Sequence, residues 1–163
     1  MGIILLIMSG GLSGFICCSK YNLKVNFLSQ YMNLITFLRN EIRYSRRPLV
    51  EILKNFNCAN PLNKYILQCA ENLKTNNSFK DSWSGAFEKC TSLGISQEEY
   101  EIINNFGGVL GSCDVNGQIY YCDYNLDMIK PYLIKAKEKR KNKGKLSVIL
   151  CIGISILISI MLI

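Results

Sequence analysis

All the charged side chains of this 163-residue chain, 19 basic and 12 acidic, lie between Lys20 and Lys145. The two ends, residues 1–19 and 146–163, are uncharged and rich in Ile, Leu and Met. An apolar helix of about 17 to 25 residues is long enough to cross the hydrocarbon layer of a membrane. We therefore predict a transmembrane helix at each end of the chain, with one domain between them.

Each end also has an alternative interpretation. Residues 1–19 could be a cleaved signal peptide, but such peptides carry positive charge before the apolar run, whereas here Lys20 and Lys24 follow it. The order of charges favours an uncleaved anchor. Residues 146–163 could form a buried core helix, but they lack the polar face that such helices usually keep, so we predict a membrane span.

Basic residues flank the middle of the chain on both sides. Residues 135–145 contain seven Lys and Arg and one Glu. Because cytoplasmic segments next to spans are rich in Lys and Arg, we expect a protein of the cell membrane in which a helical domain (20–134) and a basic juxtamembrane segment (135–145) face the cytoplasm. Membrane lipid is the expected partner of the basic segment. A nucleic-acid tail is the weaker interpretation, and we expect no nucleic acid to bind.

The composition disfavours catalysis and metal binding. The chain has no histidine, which is the commonest metal ligand and general base. Its eight cysteines form no C-x-x-C pair, and Cys69, Cys90 and Cys122 fall on apolar helical faces. No phosphate-binding glycine motif follows a predicted strand. We therefore expect a non-enzymatic protein without a cofactor, with the cysteines filling the core.

The middle of the chain is predicted to be all-α, a cytoplasmic bundle of about six helices. Apolar residues recur at three- and four-residue spacing and no stretch alternates as a strand would. Ser96 and Glu99 form a capping box, and Ser78 with Asp81 resembles one. We expect glycines 107, 108 and 111 to loosen the end of the fifth helix and Pro131 to kink the sixth. The predicted helices cover about 23–46, 48–56, 61–73, 78–94, 96–106 and 114–145.

Several segments, in order along the chain, resemble a known family. They are FLRNEIRYSRRPL (37–49), Trp83, the capping box at 96–101 and FGGVLGSCDVNGQ (106–118). Together with the two apolar ends and the length, they resemble stage III sporulation protein AB. The chain departs from the family pattern at two positions. Pro131 would interrupt a helix that the family keeps continuous, and Gly117 falls in the first turn of that helix.

The resemblance implies a function in endospore formation. Members of the family are membrane proteins of the mother cell, in the complex that joins mother cell and forespore, and resemble inner-membrane platform proteins of type II secretion and type IV pilus systems. Their proposed role is to couple a cytoplasmic secretion-type ATPase, stage III sporulation protein AA, to other membrane proteins of the channel. Self-association remains open. The alternatives are a platform protein of a true secretion or pilus system, a holin-like protein and a membrane-bound redox enzyme.

Two sets of residues are candidates for binding. Glu41 and Tyr44 belong to the family-like segment but not to the apolar stripe, and Asp114 and Gln118 open the sixth helix. Either these four residues dock a partner or, as we prefer, the sixth helix covers Tyr44 and all four hold the bundle together. Small residues that could let the membrane helices pack closely are Gly10, Gly14, Cys151, Ser155 and Ser159.

Overall fold

The computed structural model describes the backbone of residues 2–45, 47–75, 78–110 and 112–161, and the side chains of residues 21–142 within these ranges. The described part of the chain contains helices and no strand, which confirms the all-α prediction. The six α-helices are α1 (Gly2–Tyr44), α2 (Leu49–Asn55), α3 (Leu62–Asn72), α4 (Phe79–Phe87), α5 (Gln97–Val109) and α6 (Val115–Met161). Two short 3-10 segments, Leu73–Thr75 and Glu88–Leu93, follow α3 and α4.

The predicted helix caps are present. Ser96 accepts a hydrogen bond from the Glu99 N–H at 3.3 Å, while the Ser96 N–H donates to the Glu99 carboxylate at 2.6 Å. This reciprocal pair satisfies two N–H groups that the first turn of α5 leaves unbonded. Ser78 caps α4 through the Asp81 N–H. Gly94 stops the preceding 3-10 segment in the left-handed conformation, with φ of 81°, which glycine adopts without steric cost.

Helices α1 and α6 are antiparallel and form the centre of the fold. Three pairs of residues show that the helices run in opposite directions: Tyr21 and Lys139 line one cavity, Tyr31 bonds Asn125, and Arg39 bonds Asp123. Helices α3, α4 and α5 pack in succession around this pair, α4 on α3, α5 on α4 and α6 on α5. The C-terminal end of α1 and the N-terminal end of α6 therefore lie together at one end of the bundle.

The core is a single cluster of apolar side chains from all six helices. Trp83 of α4 is fully buried at its centre, stacked on Phe87 with ring centroids 4.4 Å apart. The predicted stripe of α1 is buried except at its first residue, Leu23, which is 39% exposed. Cys69, Cys90 and Cys122 are also buried, so the interpretation of these cysteines as core residues is confirmed. The buried residues of the stripe are Phe27, Leu28, Tyr31, Leu34, Ile35, Leu38 and Ile42.

Helices α5 and α6 differ from the sequence-based expectations near Gly107 and Pro131. Gly107 and Gly108 are helical and belong to the last turn of α5, where Gly107 lets the helix approach Trp83; Gly111 lies outside the described residues. Helix α6 continues through Pro131, so the expectation that this proline interrupts the helix is wrong, while a kink there stays a prediction. Pro131 is exposed, so the Asp127 carbonyl, which loses its helical N–H partner, lies where water can bond it.

The structure does not test the two predicted membrane helices. Among the described residues, no helix has a stretch long and apolar enough to cross a membrane. The spans predicted at 1–19 and 146–163 fall on residues whose side chains lie outside the described part, although the α1 and α6 backbones continue into both. The same applies to the residues proposed for helix packing in the membrane, which are Gly10, Gly14, Cys151, Ser155 and Ser159.

Candidate functional site

The four candidate docking residues come from the two chain segments that meet at one end of the bundle. Glu41 and Tyr44 belong to the last turns of α1, and Asp114 and Gln118 to the start of α6. The antiparallel packing of the two helices brings these segments to the same end. This is the end opposite to the one where α1 and α6 continue into the apolar ends of the chain.

Tyr44 is the most exposed large apolar side chain in the described part of the bundle, at 78%. The expectation that the sixth helix covers it is therefore wrong. The reason is its position on α1, since Tyr44 lies roughly 200° around the helix from the buried Ile42. Its ring faces solvent and does not contribute to the core.

Glu41 is half-buried and holds the turn that follows α1. Its carboxylate pairs with Arg47, with 3.2 Å between Oε2 and Nη2. Its main-chain carbonyl accepts hydrogen bonds from both the N–H and the hydroxyl of Ser45, each at 2.8 Å. Glu41 therefore orients the segment beside Tyr44 and has a clear structural role.

Asp114 and Gln118 shape the start of α6. Asp114 Oδ1 accepts a hydrogen bond from the Gly117 N–H at 3.1 Å, which caps the helix. Gln118 donates from Nε2 to the carbonyl of Cys113, in the loop before α6, at 2.9 Å. A β-carbon at position 117 would lie 2.8 Å from Asp114 Oδ1 and 3.0 Å from the Cys113 β-carbon. Gly117 is therefore suited to this cap.

Sequence reasoning missed a group of tyrosines on α6. Tyr120 and Tyr124 are 67% and 50% exposed, and both rings contact Tyr121, with centroids 6.1 and 6.4 Å apart. The signal was present, since tyrosines four residues apart outside the apolar stripe share one helix face. Exposed aromatic rings of this kind are enriched at protein–protein interfaces.

Sequence reasoning also missed the buried polar contacts that join α1, α5 and α6 to one another. The Tyr31 hydroxyl donates to Asn125 Oδ1 at 2.9 Å, and Asn125 Nδ2 donates to the Ile102 carbonyl at 3.1 Å. Burial raises the pKa of Tyr31 well above its ordinary value. Glu99 is 2% exposed and pairs with Lys24 at 2.7 Å. These contacts set the register of the helices, because a slip would leave buried polar groups unbonded.

The described side chains offer little for covalent or metal chemistry. Burial raises the pKa of each of Cys69, Cys90 and Cys122 to about 12, which keeps these thiols protonated and unreactive near neutral pH. Within the described residues, no three Cys, Asp or Glu side chains come together in a group that could hold a metal ion. What the described surface offers is exposed aromatic and charged side chains suited to binding.

Comparisons with known proteins agree with this architecture. The family model described as "Stage III sporulation protein AB (spore_III_AB)" matches residues 1–163. A solved structure described as "Stage III sporulation protein AB (SpoIIIAB)" is similar over 71% of this chain and 94% of that one, with a TM-score of 0.61 and 22% identity, and so shares the fold. A search of curated proteins found no match. Because the family model spans the whole chain, this protein belongs to the stage III sporulation protein AB family, and its function lies in sporulation.

Proposed function

We propose that this protein is a non-enzymatic membrane component of the complex that joins mother cell and forespore, and that its helical bundle docks a cytoplasmic secretion-type ATPase, stage III sporulation protein AA. The observation that carries the docking proposal is the exposure of Tyr44. A tyrosine held at a helix end outside the core stabilises the bundle little, whereas tyrosine is enriched among residues that dominate binding energy.

One end of the bundle continues into the apolar segments and the other end carries Tyr44, which supports docking of a cytoplasmic partner at the Tyr44 end. At one end, α1 and α6 continue into the apolar segments 1–19 and 146–163, which we propose anchor the protein in the mother-cell membrane around the forespore. Tyr44 belongs to the opposite end, farthest from that membrane. A cytoplasmic partner would reach this end without obstruction from lipid.

Polar contacts hold the backbone segments that end and begin near Tyr44. Glu41 and Arg47 form an ion pair across the turn that follows α1, and the Asp114 cap holds the start of α6. Segments that are already held in place lose little conformational freedom on binding, which favours an interface at this end. A secretion or pilus platform protein is the alternative from the same fold class, and the match to the sporulation family over the whole chain favours the sporulation complex.

The test compares Tyr44→Ala with Leu67→Ala in the full-length protein. Both remove a large exposed apolar side chain, 78% and 51% exposed, but Leu67 lies on α3 and not on the segments of α1 and α6 that carry the candidate docking residues. We expect Tyr44→Ala to weaken ATPase binding about tenfold or more, since hot-spot truncations cost about 2 kcal/mol, and to lower spore yield. Leu67→Ala should do neither.

Thermal unfolding of both variants separates docking from stability. Exposed positions usually change the free energy of unfolding by less than about 0.5 kcal/mol, so both melting temperatures should stay close to that of the parent. A fall of several degrees for Tyr44→Ala would make it a scaffold residue, and undiminished ATPase binding would remove Tyr44 from the interface.

A further inference from the structure

A cavity of about 530 Å³ lies between α1, α6 and the start of α5, at the end where the helices continue into the apolar segments. This volume is within the range of about 300–1,000 Å³ typical of small-molecule sites. Its wall includes three lysines, one from α1 and two from α6, together with two tyrosines and two glutamates. These residues are Lys24, Lys135, Lys139, Tyr21, Tyr132, Glu98 and Glu99.

The two glutamates of the cavity already have partners. Glu99 is buried and bonded to Lys24 at 2.7 Å and to the Ser96 N–H at 2.6 Å, so its charge is balanced. Glu98 accepts a hydrogen bond from the Tyr132 hydroxyl at 3.2 Å. Desolvation, and to a smaller extent this bond, raises the pKa of Tyr132. Glu98 therefore holds Tyr132 at the cavity wall.

The remaining two lysines are available to a ligand. Within the described residues, neither Lys135 nor Lys139 forms an ion pair, and both are exposed. Lys135 Nζ lies 5.9 Å from the centre of the Tyr132 ring, and Lys139 follows one helical turn later. Two unpaired ammonium groups on the same helix face thus point to an anionic ligand.

We propose that this cavity binds the phosphate group of an anionic phospholipid headgroup. Lys135 and Lys139 supply the charge that balances the phosphate, and the carbon atoms of Tyr21 and Tyr132 supply apolar wall for the glycerol part. The choice of lipid over free phosphate rests on the membrane placement proposed above, because the cavity lies where the chain would enter the membrane. This is a defined site, distinct from general attraction between the basic segment and a charged surface.

Helix α6 provides a matched control for the experiment. Lys137 and Lys141 belong to the same basic stretch but do not line the cavity, since they lie about 200° around the helix from Lys135 and Lys139. Full-length Lys135→Gln/Lys139→Gln and Lys137→Gln/Lys141→Gln variants therefore have equal net charge. Each would be titrated calorimetrically in uncharged detergent with short-chain phosphatidylglycerol, with phosphatidylcholine and with inorganic phosphate.

We expect the parent to bind phosphatidylglycerol, and the Lys135/Lys139 double variant to bind it about 30-fold more weakly, given the usual contribution of two basic residues near lipid. The Lys137/Lys141 variant should stay within about twofold of the parent. Equal weakening of both variants, or no phosphatidylglycerol binding by the parent, would overturn the proposal. Inorganic phosphate binding as tightly as the lipid would retain the phosphate site and overturn lipid as its source.

Removing a negative charge from the cavity gives an independent check, because it should strengthen lipid binding rather than weaken it. Glu98→Gln removes a negative charge from the cavity and should tighten phosphatidylglycerol binding, whereas Glu101→Gln removes an equal charge from an exposed site on α5 outside the cavity. Equal effects of the two variants would mean that net charge alone controls binding. Neither titration involves the ATPase, so the outcome is independent of the docking proposal.

Discussion

Gly107 of α5 lies directly against the indole ring of Trp83 of α4, so close that a β-carbon at position 107 would come within 2.3 Å of ring atoms Cγ and Cδ1. The ring cannot move aside easily, because it is fully buried and its Nε1 donates to the Ile103 carbonyl at 2.8 Å. The contact between the two helices therefore requires glycine at this position.

We predict that Gly107→Ala destabilises the bundle by about 3 kcal/mol, the upper part of the usual range for overpacking. The melting temperature of the full-length protein in detergent should fall by about 6 °C or more. Gly108→Ala is the matched control, since the nearest atom to a β-carbon there is the flexible Lys80 side chain at 3.9 Å. That variant should melt at the parent temperature or slightly above, because alanine favours helix. Equal melting temperatures for the two variants would contradict the packing assignment.

Tyr31→Phe tests the buried hydrogen bond between α1 and α6. Loss of the hydroxyl leaves Asn125 Oδ1 without its donor in the core, which should cost about 1–3 kcal/mol. Chemical denaturation of the full-length protein measures this change. Adding Asn125→Leu should cost less in the Tyr31→Phe background than in the parent, because the two groups depend on each other. Additive losses would mean that the two side chains are not coupled.

The buried thiols should be protected from alkylation. With a pKa raised to about 12 by burial, only about one in 10⁴ molecules carries each thiolate at pH 8. In the native protein we expect iodoacetamide to label exposed Cys113 quickly and Cys69, Cys90 and Cys122 slowly, as peptide mass spectrometry can resolve. In denaturant all four should react at similar rates. Rapid native labelling of Cys122 would show that α6 leaves the core.

The same thiols should make the bundle less stable in alkali. In the unfolded chain they ionise above their ordinary pKa of 9.0, whereas in the folded chain they stay protonated up to about pH 12. The unfolded state therefore binds fewer protons in this window, and stability is lost as pH rises from about 9 to 12. Replacing Cys69 and Cys122 by alanine should flatten this pH dependence of the melting temperature. An unchanged slope would assign it to other groups.

The basic residues that flank the middle of the chain predict how it would be oriented in a membrane. We predict that residues 26–130 lie in the cytoplasm and that both termini lie across the membrane. A reporter domain inserted near Asn76 should be active in the cytoplasm, while one fused after Ile163 should report the opposite compartment. Cytoplasmic signals from both fusions would contradict the two-span arrangement.

Local signals along the sequence predicted the fold well. The three- and four-residue spacing of Leu, Ile and Phe identified each helix, and the side-chain caps at Ser78 and Ser96 placed two of their starts. Each of these features depends on residues only a few positions apart, so it can be recognised in a single sequence. The stop at Gly94 was predictable for the same reason.

Contacts between distant segments were not predictable in this way. Gly107 could be understood only once α4 was known to cross α5, and Glu99 is buried because Lys24, 75 positions earlier in the chain, reaches it from α1. Periodicity shows which face of a helix is apolar but not which neighbouring helix covers it. Whether a candidate docking residue is exposed depends on that neighbour.

The pairing of the first helix with the last has a consequence for synthesis of the chain. Tyr31 and its partner Asn125 are 94 positions apart, and at about 5–20 residues per second a ribosome needs roughly 5–20 s to travel between them. During that interval the apolar stripe of α1 has emerged without the helix that covers it. The bundle can close only after translation is nearly complete, so a chain that terminates before α6 displays a bare hydrophobic surface.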